Sequence, residues 1–120
     1  MKHMIQALLA LIMLGVIGHP PPRLLAQQPE HTIDIHARKY TFDPSEITLK
    51  KGEPVTLRLI SDDVTHSLRV PSLKIDQEVS KDHPSEVTIT PSSVGDFKGE
   101  CGHFCGIGHG RMKFTVHVTD

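Results

Sequence analysis

EITLKKGEPVTLRLIS, residues 46–61, decides the fold class. Apolar residues fall on every second position in two runs, Ile47 and Leu49 in the first, then Val55, Leu57 and Leu59, with Lys51 and Gly52 between them. A period of two sends successive side chains to opposite faces of an extended strand, so each run has one inward face and the Lys-Gly pair marks a turn. The same pattern continues in both directions. HTIDIHAR, residues 31–38, alternates Ile33, Ile35 and Ala37 against Thr32, Asp34, His36 and Arg38, which directs His36 to solvent. SEVTITP, residues 85–91, adds Val87 and Ile89 before Pro91 ends the run. MKFTVHV, residues 112–118, sets Phe114, Val116 and Val118 inward against Lys113, Thr115 and His117. Short strands at this spacing, with no helical stripe between them, predict an all-β fold, a sandwich of Greek-key type.

Length bounds the rest. The chain has 120 residues, 38% hydrophobic and 22% charged, with a formal net charge of −1, nine His and no Trp. That is one domain at most, and no block of Lys and Arg supplies the field that nucleic acid binding needs. The first residues run Lys2, an apolar stretch from Met4 to Gly18, a Pro-rich break, then Ala26 before Gln27 and Gln28. This order is that of a secretory leader, and the apolar run is shorter than the roughly 20 residues of a membrane span. The expectation is a signal peptide over residues 1–26, with an uncleaved anchor as the alternative because Leu24 occupies a position that favours a small residue. A linker over 27–31 and a single domain over 32–120 follow. Loss of residues 1–26 removes Lys2 and Arg23 and no acid, taking the formal charge from −1 to −3. The expected location is the periplasm or another exported compartment, with membrane contact only through a retained leader.

CGHFCGIGHGRM, residues 101–112, carries the chemistry. Cys101, Cys105 and His109 follow one another at intervals of four, but Gly102, Gly106, Gly108 and Gly110 lie among them. Each glycine costs about 1 kcal/mol in a helix interior, so the segment is a loop. A glycine-rich loop curls tightly enough for two sulfurs, an imidazole and a thioether to converge. That soft set suits copper, and two His, one Cys and a weak axial Met make a blue copper site. SDDVTHSLRVPSL, residues 61–73, offers the second imidazole, His66, in a loop just beyond the strand Val55–Ile60. Only one sulfur is needed for a mononuclear site, and this chain has two. The rival reading is a Cys101–Cys105 disulfide, which an oxidising compartment favours. A bridge across so short a loop gains little unfolded-state entropy, and it leaves the His and Met spacing unexplained. For His66 the rival is a turn residue, and for Met112 a core methionine, a role compatible with weak ligation.

The pair DVTHSLRVPSL and CGHFCGIGHGRM resembles the copper-binding segments of cytochrome c oxidase subunit II, and nitrous oxide reductase shares the second segment. KYTFDPSEITLKKGEPVTLRL, residues 39–59, is similar to the opening strands of cupredoxins, so the resemblance covers most of the chain from about residue 32. It implies a cupredoxin domain with a dinuclear CuA centre, two copper ions bridged by both thiolates. It further implies that Cys101 and Cys105 bridge, that His66 and Met112 serve one copper, and that His109 and the main-chain carbonyl of His103 serve the other. Sharing the odd electron over two metals keeps bond changes small, which suits rapid electron transfer. His3 and His19 fall in the leader, and His31, His36, His83 and His117 read as solvent-facing.

The chain departs from the subunit II pattern in lacking Trp: Tyr40 and four Phe are its aromatics, which excludes electron access through indole. The resemblance thus implies a free-standing, monomeric electron carrier that passes one electron at a time between redox proteins, cytochromes or copper proteins. The alternative is a copper-binding protein that delivers metal to an apo acceptor, for homeostasis or oxidase assembly. Neither is an enzyme. A copper enzyme needs an open coordination position, and the implied ligands fill all of them. Asp62 and Asp63, adjacent on an extended chain, point apart and make no carboxylate dyad, while Asp63 is placed to shape the His66 loop.

Overall fold

The computed structural model describes Gly18 and residues 31–120. The leader read over residues 1–26 falls, Gly18 apart, outside the described residues, as does the 27–31 linker up to His31. Among the described residues nine strands run in chain order: β1 His31–Arg38, β2 Thr41–Asp43, β3 Glu46–Lys50, β4 Val55–Ser61, β5 His66–Val70, β6 Ile75–Val79, β7 Ser85–Ile89, β8 Gly95–Cys101 and β9 Lys113–Thr119. They form two sheets, one ordered β2-β1-β4-β7 and the other β3-β9-β8-β5-β6. The β1–β4 and β3–β9 pairs are parallel and the remaining pairs antiparallel. The all-β Greek-key expectation is met, and the only helical elements among the described residues are two 3-10 turns, Pro71–Leu73 and His109–Arg111.

The two runs of residues 46–61 are strands as expected, but they lie in different sheets. The chain crosses over at Gly52, whose φ of +81° is the left-handed conformation that costs glycine no Cβ clash. Backbone bonds pin the crossing: Lys51 N–H donates to the Thr119 carbonyl and Gly52 N–H to that of Pro91, each at 2.8 Å. Inward residues of both sheets then meet. Ile35, Ala37, Leu57 and Leu59 face Leu49, Leu68, Val70, Phe114 and Val116, all buried. Phe42 of β2 and Phe114 of β9 close the core edge to face, centroids 5.7 Å apart and planes at 72°. Val87 and Ile89 are only half buried because β7 is an edge strand.

His66 corrects the sequence reading. It is the first residue of β5, paired with Val79 of β6, and not a loop residue. Its first two residues obscure the strand, since His66 and Ser67 are polar yet buried, and only Leu68 and Val70 alternate with the exposed Arg69. Cys101 likewise ends β8 instead of opening a loop. Both residues therefore stand on strands of one sheet, where Leu68 pairs with Cys101 in register.

Candidate metal centre

Cys101 N–H donates to the Met112 carbonyl at 3.1 Å, which closes the base of the loop between β8 and β9. Gly102 N–H reaches the Ser67 carbonyl at 3.2 Å and ties the departing chain to β5. The loop then curls on itself, His109 N–H to Gly106 O at 3.1 Å and Arg111 N–H to Gly108 O at 3.0 Å, so that the short turn carries His109 back toward Cys105. Side chains eight residues apart in sequence thus return to one point.

All six positions read from the sequence come together there. The sulfurs of Cys101 and Cys105 stand 3.7 Å apart. His66 Nδ1 lies 3.9 Å from the Cys101 sulfur, His109 Nδ1 3.8 Å from that of Cys105, and Met112 Sδ 3.9 Å from that of Cys105. The carbonyl oxygen of His103 is 3.1 Å from the Cys101 sulfur, while the residue itself is exposed. His66, Cys101, Cys105 and Met112 are buried and His109 is partly exposed.

These atoms fit a soft metal. Both cysteines are free, and a sulfur separation of 3.7 Å is far beyond the roughly 2.05 Å of a disulfide. Ligating atoms of His66, Cys101 and Cys105 all lie within 4.8 Å of one another. Burial, with the Cys101 sulfur beside it, pushes the Cys105 thiol up to about 11. A buried pair of thiols with nitrogen and thioether neighbours gains most from a cation that takes them as thiolates.

Asp63 orients the buried imidazole. Its Oδ1 lies 2.6 Å from His66 Nε2 and accepts the Val64 N–H at 2.6 Å, while its Oδ2 accepts the Lys39 N–H at 2.8 Å. Burial works against its charge, yet the Lys39, His66 and Val64 donors together hold its carboxyl below the usual carboxylate range. A carboxylate at Nε2 keeps the proton on that nitrogen and leaves Nδ1 as a lone-pair donor facing Cys101. Asp62 turns the other way, to His36 at 2.9 Å and Arg38 at 3.2 Å. His31 and His83 are exposed, and His117 pairs with Asp96 at 2.6 Å.

Two residues escaped the sequence reading. Phe104 is 73% exposed and its ring lies 5.8 Å from that of His109; Ile107 of the same loop is 98% exposed, so the loop that carries His109 presents apolar surface to solvent. Tyr40, in the turn between β1 and β2, packs against Gly106 and Gly108. Neither has a sequence signal, because a lone aromatic in a loop does not declare its neighbour.

The chain is 40% identical over 71 residues to a probable cytochrome c oxidase subunit 2 of Streptomyces avermitilis, 59% of this chain and 22% of that one. It is 28% identical over 91 residues to cytochrome c oxidase subunit 2 of Thermus thermophilus, 76% of this chain and 67% of the relative. The chain thus spans about a fifth of the length of its Streptomyces relative. In fold it is similar to the crystal structure of the periplasmic domain of subunit II of cytochrome oxidase of Bradyrhizobium japonicum, with a TM-score of 0.70, 15% identity, and coverage of 78% and 86% of the two chains. Residues 6–116 match the cupredoxin-like domain, and the chain belongs to that family.

Proposed function

We propose that this protein is an exported copper carrier of electrons, with a CuA-like centre of two copper ions held by His66, Cys101, Cys105, His109, Met112 and the carbonyl of His103. The observation that carries the reading is the convergence of three side-chain donors, His66, His109 and Met112, and one carbonyl around the Cys101–Cys105 sulfur pair at 3.7 Å. Copper bound there supplies a one-electron couple. The chain's own residues do the rest. Asp63 fixes the His66 ring, and the strand ends fix both loops, so that the donors relax little when charge changes. Cys101 and Cys105 would hold the copper as thiolates, with His66, Met112, His109 and the His103 carbonyl as the further donors.

Exposure supports transfer over delivery. His109 is the one partly exposed side-chain ligand, and Phe104 and Ile107 give a redox partner, a cytochrome or copper protein, an apolar surface against which to dock. Burial of His66, Cys101, Cys105 and Met112 opposes ready metal exchange with an apo acceptor, the alternative role. The periplasm is the proposed location, with residues 1–26 as leader and 32–120 as the working domain. Among the described residues no helix is long and apolar enough to cross a membrane. Stopped-flow oxidation and reduction of the copper-loaded chain, run beside copper transfer to an apo acceptor, tests the role. Rapid cycling with full metal retention is expected, and metal loss faster than redox turnover would favour delivery.

A further inference from the structure

We infer that the Lys39–Tyr40 turn between β1 and β2 is a positioning element of the metal centre, and that Tyr40 holds the Cys105–His109 segment in its ligating shape. The inference rests on His66, Cys105 and His109 being ligands, as proposed above. Neither Lys39 nor Tyr40 supplies a donor of its own, yet the turn touches both halves of the site.

On one side the contact runs through Asp63. Lys39 N–H occupies one carboxylate oxygen at 2.8 Å, and the other stands 2.6 Å from His66 Nε2. On the other side the Tyr40 ring takes up space where glycine side chains would be. A Cβ placed on Gly106 would fall 2.5 Å from the Tyr40 hydroxyl oxygen, and one on Gly108 would fall 2.5 Å from Tyr40 Cγ. The ring therefore abuts the backbone of the ligand loop, and only glycine admits so close an approach. Tyr40 is partly buried and packs on the core cluster, which anchors it from beneath.

The need for such a brace follows from the sequence of the loop. Gly106, Gly108 and Gly110 give residues 105–110 far more backbone freedom than a segment without glycine would have. Three backbone bonds within the turn, to Gly106 O, Gly108 O and His109 O, hold its shape. A flat aromatic face against the glycines restricts that freedom without adding a ligand. The same turn that sets His66 through Asp63 thereby sets His109 through Gly106 and Gly108.

The test uses the full chain, parent against Tyr40→Ala and Tyr40→Phe. In the metal-free protein, amide hydrogen exchange at His109 and Arg111 is expected to accelerate about tenfold in Tyr40→Ala, with amides of Phe97 and Val116 in β8 and β9 unchanged. After copper loading, metal loss to a chelator is expected to quicken about tenfold or more. Tyr40→Phe keeps the ring and is expected to restore parental behaviour in both measurements. Unchanged exchange at His109 and Arg111 would overturn the proposal, and so would equal acceleration across β8 and β9. Should Tyr40→Ala not fold, Tyr40→Leu is read by the same exchange, with the same outcomes expected and excluded. Because the exchange is measured without metal, a parent that binds a single copper would refute the dinuclear reading and leave Tyr40 to be judged separately.

Discussion

Asp63 and His66 share a contact of 2.6 Å between carboxylate and Nε2, and the remaining oxygen of Asp63 reaches across to the Lys39 amide. The buried imidazole is thus oriented from outside the metal site, by a residue three positions earlier on the same segment. Replacing Asp63 with Ala frees the ring and leaves two amides without their acceptor. Copper affinity, measured by competition with a chelator, is expected to fall about 10–100-fold, with Asp63→Asn less severe. Equal affinities for parent and Asp63→Ala would show that β5 alone orients the ring.

The core makes its own claim. Phe114 is fully enclosed and meets Phe42 edge to face across the two sheets. Phe114→Ala is expected to cost about 3–5 kcal/mol, read by urea unfolding of the metal-free protein. A loss below about 1 kcal/mol would mean that neighbouring side chains collapse into the space.

Gly99 of β8 illustrates a tighter constraint. A Cβ there would lie 2.6 Å from Val70 Cγ2 and 2.8 Å from the Arg69 carbonyl oxygen, a backbone atom with little room to move. Gly99→Ala is expected to destabilise by about 1–3 kcal/mol through overpacking of β8 against β5. The same strands carry Cys101 and His66, so copper-site spectra of this variant should shift as well. An unfolding midpoint equal to that of the parent would contradict the packing.

Much of this was legible in the residues. Alternation in 31–38, 46–61 and 112–118 marks the strands, because one face of each packs apolar residues into the core and the other carries mostly polar ones. The Cys-Cys-His-Met spacing brought four donors into one loop. What was hidden had a physical reason. Strand β5 is short and opens on two polar residues, His66 and Ser67, that are buried, so its alternation is confined to Leu68–Val70 and His66 read as a loop residue. The assignment of consecutive strands β3 and β4 to opposite sheets depends on long-range pairing with β9 and β1, which no local pattern encodes. Tyr40 meets Gly106 and Gly108 across more than sixty residues of chain, and nothing in KYTFD announces that contact.

His117 gives a pH handle away from the site. Asp96 at 2.6 Å from Nδ1, with Glu46 at 3.6 Å from Nε2, raises its pKa above the ordinary histidine value. The pair therefore stabilises the fold fully below that ordinary value, and the contribution fades as pH rises through the raised one. Asp96→Asn is expected to lower the midpoint of the His117 ring titration followed by NMR. An unmoved midpoint would remove Asp96 as the cause.

Copper stoichiometry with electron paramagnetic resonance of the oxidised protein tests the central claim most directly. Two ions per chain and a hyperfine pattern shared over both nuclei are expected, with the shared pattern lost in Cys105→Ser. One ion per chain with a signal localised on a single nucleus would contradict it.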